Sequence, residues 1–396
     1  MNKTRRDFVK NSAILGATLS TFGVSAVFGA SDKNGGFDPK NANVKCKGWA
    51  AFDSSGVFKP WEFERRPVGD DDILIDIKYA SICHSDIHTI KGDWGEQIYP
   101  QIPGHEIVGL VSQVGKNVKN FKVGDRVGVG CMVDNKNIAL LQKDATTGGL
   151  GEQYSNDTIF TYGFSDKRES TGITQGGYSD KIVINAHFAV HIPQNLDFKL
   201  AAPLLCAGVT TFSPLMKYKI KKGDKVGVSG IGGLGHMAVK LAVKMGAEVT
   251  AFTTSESKKA DILSWGAKEV VVVSEPSRDL ARFKGVLDYH ISTIPVQFDV
   301  APYVSSVKPF GTFTLVGMGE NFSITQSNLA LSASRVNFTS SLIGDMKETQ
   351  DVINFCADNK IYPNVEIINA SDITNAYKKV QNKEARYRYV IDSASI

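Results

Sequence analysis

Cysteine, histidine and acidic side chains gather in three short stretches of this 396-residue chain. The first is Cys83-His84-Ser85-Asp86-Ile87-His88. The second is His105-Glu106 behind Pro103-Gly104, and the third is Cys206 behind Pro203-Leu204-Leu205. Thiolates and imidazoles bind Zn²⁺ tetrahedrally, and a site with three protein ligands keeps a position for a substrate oxygen. Such a metal polarises a carbonyl or stabilises an alkoxide. The spacings alone prove no site, because a lone Cys is usually a core residue and a lone His is usually satisfied structurally.

A second constellation is Gly230-Ile231-Gly232-Gly233-Leu234-Gly235. A lone G-x-G-x-x-G is weak. Here it follows an apolar strand pattern (225–229) and opens a helical pattern, which is the dinucleotide-binding context. Gly230 permits the tight turn, Gly232 lets backbone approach a pyrophosphate, and Gly235 lets helix and strand pack closely. The helix N-terminus supplies N–H donors to the phosphates. The next strand ends in Thr253, and Thr254, Ser255, Glu256, Ser257, Lys258 and Lys259 follow. No acid stands at the strand end to bind a ribose 2′-OH. Hydroxyls and ammoniums suit a 2′-phosphate, so NADP(H) is expected in preference to NAD(H). Glu256 is the dissenting residue.

These groups need elements to hold them. From about 43 to 197, short apolar runs alternate with Gly-rich turns, as in Ile107–Val114 and Asp125–Val129, which predicts an antiparallel, barrel-like domain. Leu200 to Leu215 reads as one helix. From 198 to 344, strands alternate with helical stretches, which predicts a doubly wound parallel sheet. The stretch 345–396 is expected to return to the first domain, with a helix over 348–359 and a closing strand over 387–391.

The strongest pieces are CHSDIH (83–88), YPQIPGHEIVG (99–109), VGDRVGVG (123–130), PLLCAG (203–208), GIGGLGH (230–236) and YRYVID (387–392). Together they resemble the zinc-containing medium-chain alcohol dehydrogenases, within them the cinnamyl-alcohol-dehydrogenase branch. The resemblance runs from about residue 45 to the end. It implies an α/β fold: a GroES-like β-barrel catalytic domain (43–197, completed by 345–396) and a Rossmann coenzyme domain (198–344), with the active site between them. It also implies one catalytic zinc on Cys83, His105 and Cys206, with Glu106 able to swing in as a fourth ligand. Asp86 would support the zinc side. Ser85 would hydrogen-bond the alcohol oxygen, and His88 would pass its proton towards solvent by way of the cofactor ribose. Trp94 resembles a substrate-pocket aromatic, and Thr210 and Gly317 are implied in cofactor binding. The implied activity is hydride transfer between NADP(H) and a primary aromatic or medium aliphatic alcohol or aldehyde. A homodimer is compatible with the resemblance. Two rivals are a zinc-free quinone or enone reductase and an exported, non-catalytic binding protein.

The chain departs from the family in one place. A second, structural zinc needs four ligands, yet 135–155, where the lobe with four close cysteines would lie, contains no Cys. That site is expected to be absent. Cys46, Cys131 and Cys356 are read as small buried hydrophobes, and five scattered cysteines do not make a disulfide framework.

The net charge of +4 comes mostly from the first ten residues, where Lys3, Arg5, Arg6 and Lys10 face Asp7. No basic nucleic-acid surface is indicated. Thr4-Arg5-Arg6-Asp7-Phe8-Val9-Lys10, followed by a weakly apolar stretch, resembles a twin-arginine signal. Residues 1–30 are therefore expected to be a signal peptide read by the twin-arginine translocase, and 31–42 a linker. A periplasmic protein exported already folded, without a mature membrane span, is the expectation.

Overall fold

The computed structural model describes residues 42–138, 151–319 and 325–396. The expected signal (1–30), all but the last residue of the expected linker, and residues 139–150 of the lobe segment lie outside the described residues.

Seventeen strands are described: β1 (Val44–Ala51), β2 (Phe58–Arg65), β3 (Asp72–Ser81), β4 (Ile107–Val114), β5 (Arg126–Val129), β6 (Met132–Asn135), β7 (Thr158–Phe160), β8 (Lys181–Asn185), β9 (Ala189–His191), β10 (Lys225–Ser229), β11 (Glu248–Thr253), β12 (Glu269–Val272), β13 (Leu287–Ser292), β14 (Val307–Leu315), β15 (Asn337–Ser340), β16 (Val365–Ile368) and β17 (Arg388–Asp392). The first domain is built on a sheet ordered β16-β17-β3-β4-β5-β9, with β8 also on β3. Its pairings are antiparallel except β16 with β17. The second holds a six-stranded parallel sheet ordered β12-β11-β10-β13-β14-β15. Both are the architectures the strand patterns predict. The parallel sheet is covered on both faces, so Val226, Val228, Val249, Ala251 and Ile291 are fully buried.

β17 pairs antiparallel with β3, Val390 facing Ser81. That register brings Arg388, two residues before Val390, level with the chain just past β3. The helix Met346–Asn359 starts on a capping box, with Asp345 accepting from the Glu348 N–H and Glu348 from the Asp345 N–H. One apolar cluster joins the domains. It runs from Val108 and Val190 through Leu204, Leu205, Val209 and Phe212 to Val226 and Val249, and takes in Val352, Ile353 and Cys356 of that helix.

The single helix expected over 200–215 is broken. Phe198–Ala201 is helical, Ala202–Leu205 is a 3₁₀ turn, and a new helix runs Ala207–Lys217. The two segments are bent by 57°. Pro203 lacks an N–H and crowds the preceding turn, and Cys206 leaves the helical region at φ −131°, ψ −65°. Apolar periodicity alone does not register such a break. Among the described residues no single helix is long and apolar enough to cross a membrane.

Candidate active site

The ends of three elements converge between the two domains. Cys83 follows β3 and caps the helix His84–Lys91, its N–H donating to Asp86 Oδ2 at 2.8 Å. Ser81 N–H donates to the Glu106 carbonyl at 2.9 Å, which sets His105 and Glu106 beside Cys83. Gly104 makes that approach possible: it sits at φ +104°, and a Cβ there would lie 2.6 Å from the Tyr178 ring. Cys206 stands at the bend and caps the helix Ala207–Lys217. The bend that the helical pattern hides is therefore what turns this thiol into the cleft.

The ligand atoms of Cys83, His105, Glu106 and Cys206 all lie within 4.8 Å of one another, and all four residues are buried. His105 is fixed by its other nitrogen. Nδ1 lies 2.9 Å from Asp86 Oδ1 and 3.2 Å from the Tyr162 hydroxyl. Nε2 is buried with no partner. A buried imidazole nitrogen facing two thiols at this range fits a zinc ion, and carboxylate support of the far nitrogen is the usual arrangement of a zinc histidine. Asp86 is fully buried and also accepts from the Tyr178 hydroxyl at 2.8 Å and Gly104 N–H at 3.2 Å.

The electrostatics agree with the donor set. A hydrogen bond from Cys206, together with His105 and Arg388 nearby, holds the Cys83 thiol well below its ordinary range despite burial. Burial disfavours a charged His105, but the Cys131 thiolate and Asp86 outweigh it and hold the imidazole well above its ordinary range. Metal binding at such a site releases protons.

Two residues of this neighbourhood have no role that the motifs disclose. Arg388, read only as part of a closing strand, is buried and ion-paired with Glu106, and it donates to Ser81 Oγ at 3.2 Å. A Cβ on Gly233 would sit 2.9 Å from its Nη1, so Arg388 spans from the metal ligands to the glycine loop. Burial pushes the Glu106 carboxyl up to about 7, against the pull of Arg388. Cys131 is more than a small core residue: it lies beside Cys206 and His105, and the pull of Cys206 first, then of His105, brings its thiol down to about 6 against burial. A Cβ on Gly130 would lie 2.9 Å from the Leu205 carbonyl, so this glycine lets the β5–β6 corner press against the Cys206 turn. The Gly-rich run ending in Gly130-Cys131 was the available signal.

The other expected residues fall along the same cleft. Ser85 Oγ lies 3.7 Å from Cys83 Sγ. His88 Nδ1 is held by Asp93 Oδ2 at 2.7 Å, and its Nε2 is buried without a partner. Trp94 stacks on His88 at 5.5 Å, and its Nε1 donates to the Gly319 carbonyl at 2.8 Å, bridging the two domains. Thr210 Oγ1 is 4.0 Å from Cys206 Sγ.

Gly230 adopts φ +82°, and a Cβ on Gly235 would strike the Gly230 carbonyl at 2.1 Å. A Cβ on Gly232 would meet nothing within 4 Å, so this glycine faces open space, as a backbone awaiting a pyrophosphate must. Leu234 caps the following helix and Ile231 is buried. Gly317 is pressed against the Ile294 carbonyl, which a Cβ would meet at 2.3 Å. Thr253 is buried at the end of β11, whereas Thr254 is exposed. Ser255 N–H donates to Thr253 Oγ1 at 3.2 Å. The two lysines part company: Lys258 donates to the Ile231 carbonyl at 2.8 Å, and Lys259 turns outward to Glu256 at 3.6 Å.

Residues 69–194 match the alcohol dehydrogenase GroES-like domain, and 233–358 match the zinc-binding dehydrogenase family. The chain is 41% identical over 354 residues to 8-hydroxygeraniol dehydrogenase of Catharanthus roseus, covering 89% of this chain and 96% of that protein. It is 43% identical over 350 residues to NADP-dependent alcohol dehydrogenase C 1 of Mycolicibacterium smegmatis, covering 88% and 98%. Among solved structures, cinnamyl alcohol dehydrogenase of Sorghum bicolor superposes with a TM-score of 0.83 at 35% identity, over 89% of this chain and 98% of that one. The Helicobacter pylori enzyme CAD, solved with NADP(H), gives 0.81 at 42% identity, over 89% and 99%.

Proposed function

Since this chain belongs to the zinc-containing medium-chain alcohol dehydrogenase family, we propose that it works as an NADPH-dependent reductase of aromatic or medium aliphatic aldehydes. It is a zinc-dependent alcohol dehydrogenase that uses NADP(H). The observation that carries the reading is the buried Cys83, His105, Glu106, Cys206 cluster with an unpartnered His105 Nε2 at its centre.

Cys83, His105 and Cys206 would hold the zinc, which supplies a Lewis acid for the substrate oxygen while a nicotinamide exchanges hydride with the carbon. Asp86 keeps the His105 tautomer that leaves Nε2 free. In aldehyde reduction the substrate oxygen gains a proton as hydride reaches the carbon: Ser85 Oγ, beside Cys83, binds that oxygen and donates the proton to it. His88 resupplies the proton from Nε2, since Asp93 fixes Nδ1, and the flow reverses in alcohol oxidation. Trp94, pinned to Gly319, walls the cleft and favours flat or apolar substrates. The glycine loop carries the pyrophosphate.

The purified protein is expected to oxidise NADPH with benzaldehyde- and cinnamaldehyde-type substrates and to lose that activity on treatment with a strong zinc chelator. Metal analysis is expected to find one zinc per chain. Two would place a second site that the cysteine-free 135–155 stretch does not provide. No turnover across a broad aldehyde panel would favour a binding protein instead.

Localisation follows from Thr4–Lys10 alone. We propose export through the twin-arginine translocase, with the cofactor loaded before transport. Changing Arg5 and Arg6 together to Lys is expected to leave the full-length precursor in the cytoplasmic fraction. Unchanged periplasmic recovery would sink this reading.

A further inference from the structure

Positive charge concentrates at the end of β11 around a single shared carboxylate, Asp261. Lys258 donates to the Ile231 carbonyl of the glycine loop at 2.8 Å and lies 5.5 Å over the Tyr387 ring. Among the described residues it has no ion-pair partner. Arg386 approaches from the other side. It belongs to the segment between the helix Ile373–Gln381 and β17, which completes the catalytic domain. Its Nη2 donates to Ser257 Oγ at 2.6 Å, and its Nη1 lies 3.4 Å from the Ser257 carbonyl. Ser257 Oγ in turn hydrogen-bonds Ser255 Oγ at 2.9 Å.

The nearest acid is Asp261, 3.6 Å from Arg386, and it already accepts from the Tyr387 hydroxyl at 2.8 Å. Lys383 adds a third charge to the group: burial first, then Arg386 and Lys383, pull the Lys258 ammonium down from its ordinary value. Lys258, Arg386 and two linked hydroxyls thus share one carboxylate, with Lys383 near enough to add to the positive field. Glu256 does not offset them, because it is taken by Lys259.

The glycine fingerprint places the adenosine ribose at the end of this strand. A ribose hydroxyl would not repay a cluster of like charges. A phosphate monoester with nearly two negative charges would, and the planar fork of Arg suits it best. We infer that Arg386, carried across the domain boundary by the C-terminal segment, is a specificity-determining residue that binds the 2′-phosphate of NADP(H) alongside Lys258 and Ser257. This rests on the NADP(H) reading above. Arg386 is partly exposed, so its replacement leaves the core intact.

The test is calorimetric titration of the zinc-loaded protein with 2′,5′-ADP and with 5′-AMP. The unaltered protein is expected to prefer 2′,5′-ADP. Arg386→Ala is expected to weaken 2′,5′-ADP by on the order of 10- to 100-fold more than 5′-AMP, the range for a lost charge-assisted pair. Arg386→Lys is expected to recover part of that loss. Equal weakening of both ligands, or no weakening of either, would overturn the assignment while the preference of the unaltered protein stands. If the unaltered protein binds 5′-AMP as tightly as 2′,5′-ADP, the NADP(H) reading fails, and the role of Arg386 fails with it.

Discussion

Cys206→Ala is expected to abolish bound zinc and nearly all turnover. The variant leaves Cys83 and His105 with Glu106, an acid already committed to Arg388. A Lewis acid contributes several kcal/mol of charge stabilisation to such a transition state. Each 1.36 kcal/mol is about tenfold in rate, so kcat for aldehyde reduction is expected to fall by about a thousandfold or more. Cys131 complicates the experiment usefully, because its thiol lies beside Cys206 and His105. A substitute thiolate there would preserve some zinc. The change is therefore made both alone and with Cys131→Ala, and zinc content and steady-state rates are measured together. If the double variant retained zinc and stayed within tenfold of the original rate, the proposed ligand set would be wrong.

The second large effect concerns stability. Arg388→Met removes the counter-charge of Glu106, a carboxylate with no solvent exposure. Breaking a buried pair from one side costs about 3–5 kcal/mol, because a charge is left uncompensated. Glu106→Gln in the same chain is expected to restore most of the loss, since the orphan charge disappears with it. The dependence on pH has a definite sign. Burial already lifts the Glu106 carboxyl to about 7, and removing Arg388 removes the group that pulls it down. A folded chain with a raised carboxyl value binds more protons than the unfolded chain, so stability falls as pH rises from the unfolded value through the folded one. The single variant is thus expected to lose less at about pH 5 than at about pH 8. Chemical denaturation of the metal-free proteins at both pH values checks this, because a zinc ion beside Glu106 would itself supply a counter-charge. A loss under about 1 kcal/mol, or no recovery in the double variant, would show that Arg388 is not the balancing charge.

Much of the fold was legible because it is periodic. Alternating short runs predicted the barrel strands, and the Gly-rich turn between strand and helix predicted the coenzyme loop. Cys83, His105 and Cys206 were legible as types embedded in motifs. The break at Cys206 was not, because Ala202 to Leu215 is apolar enough to read as one buried helix, and only Pro203 hints otherwise. Cys131 and Arg388 were missed for a related reason. Each is a single residue whose neighbours lie far away in the chain, Cys131 beside Cys206 and Arg388 beside Glu106.

The sequence by itself determined the donor chemistry: which side chains can bind zinc, where backbone can approach a phosphate, and that four close cysteines are missing from 135–155. These are properties of residue types and short spacings, which need no partner to express them. Tertiary structure decided which groups face one another. It bent the helix at Cys206, laid β17 against β3 so that Arg388 meets Glu106, and turned Lys258 inward while Lys259 turned out. Long-range packing and charge pairing set those choices, and they act between residues that no local pattern connects.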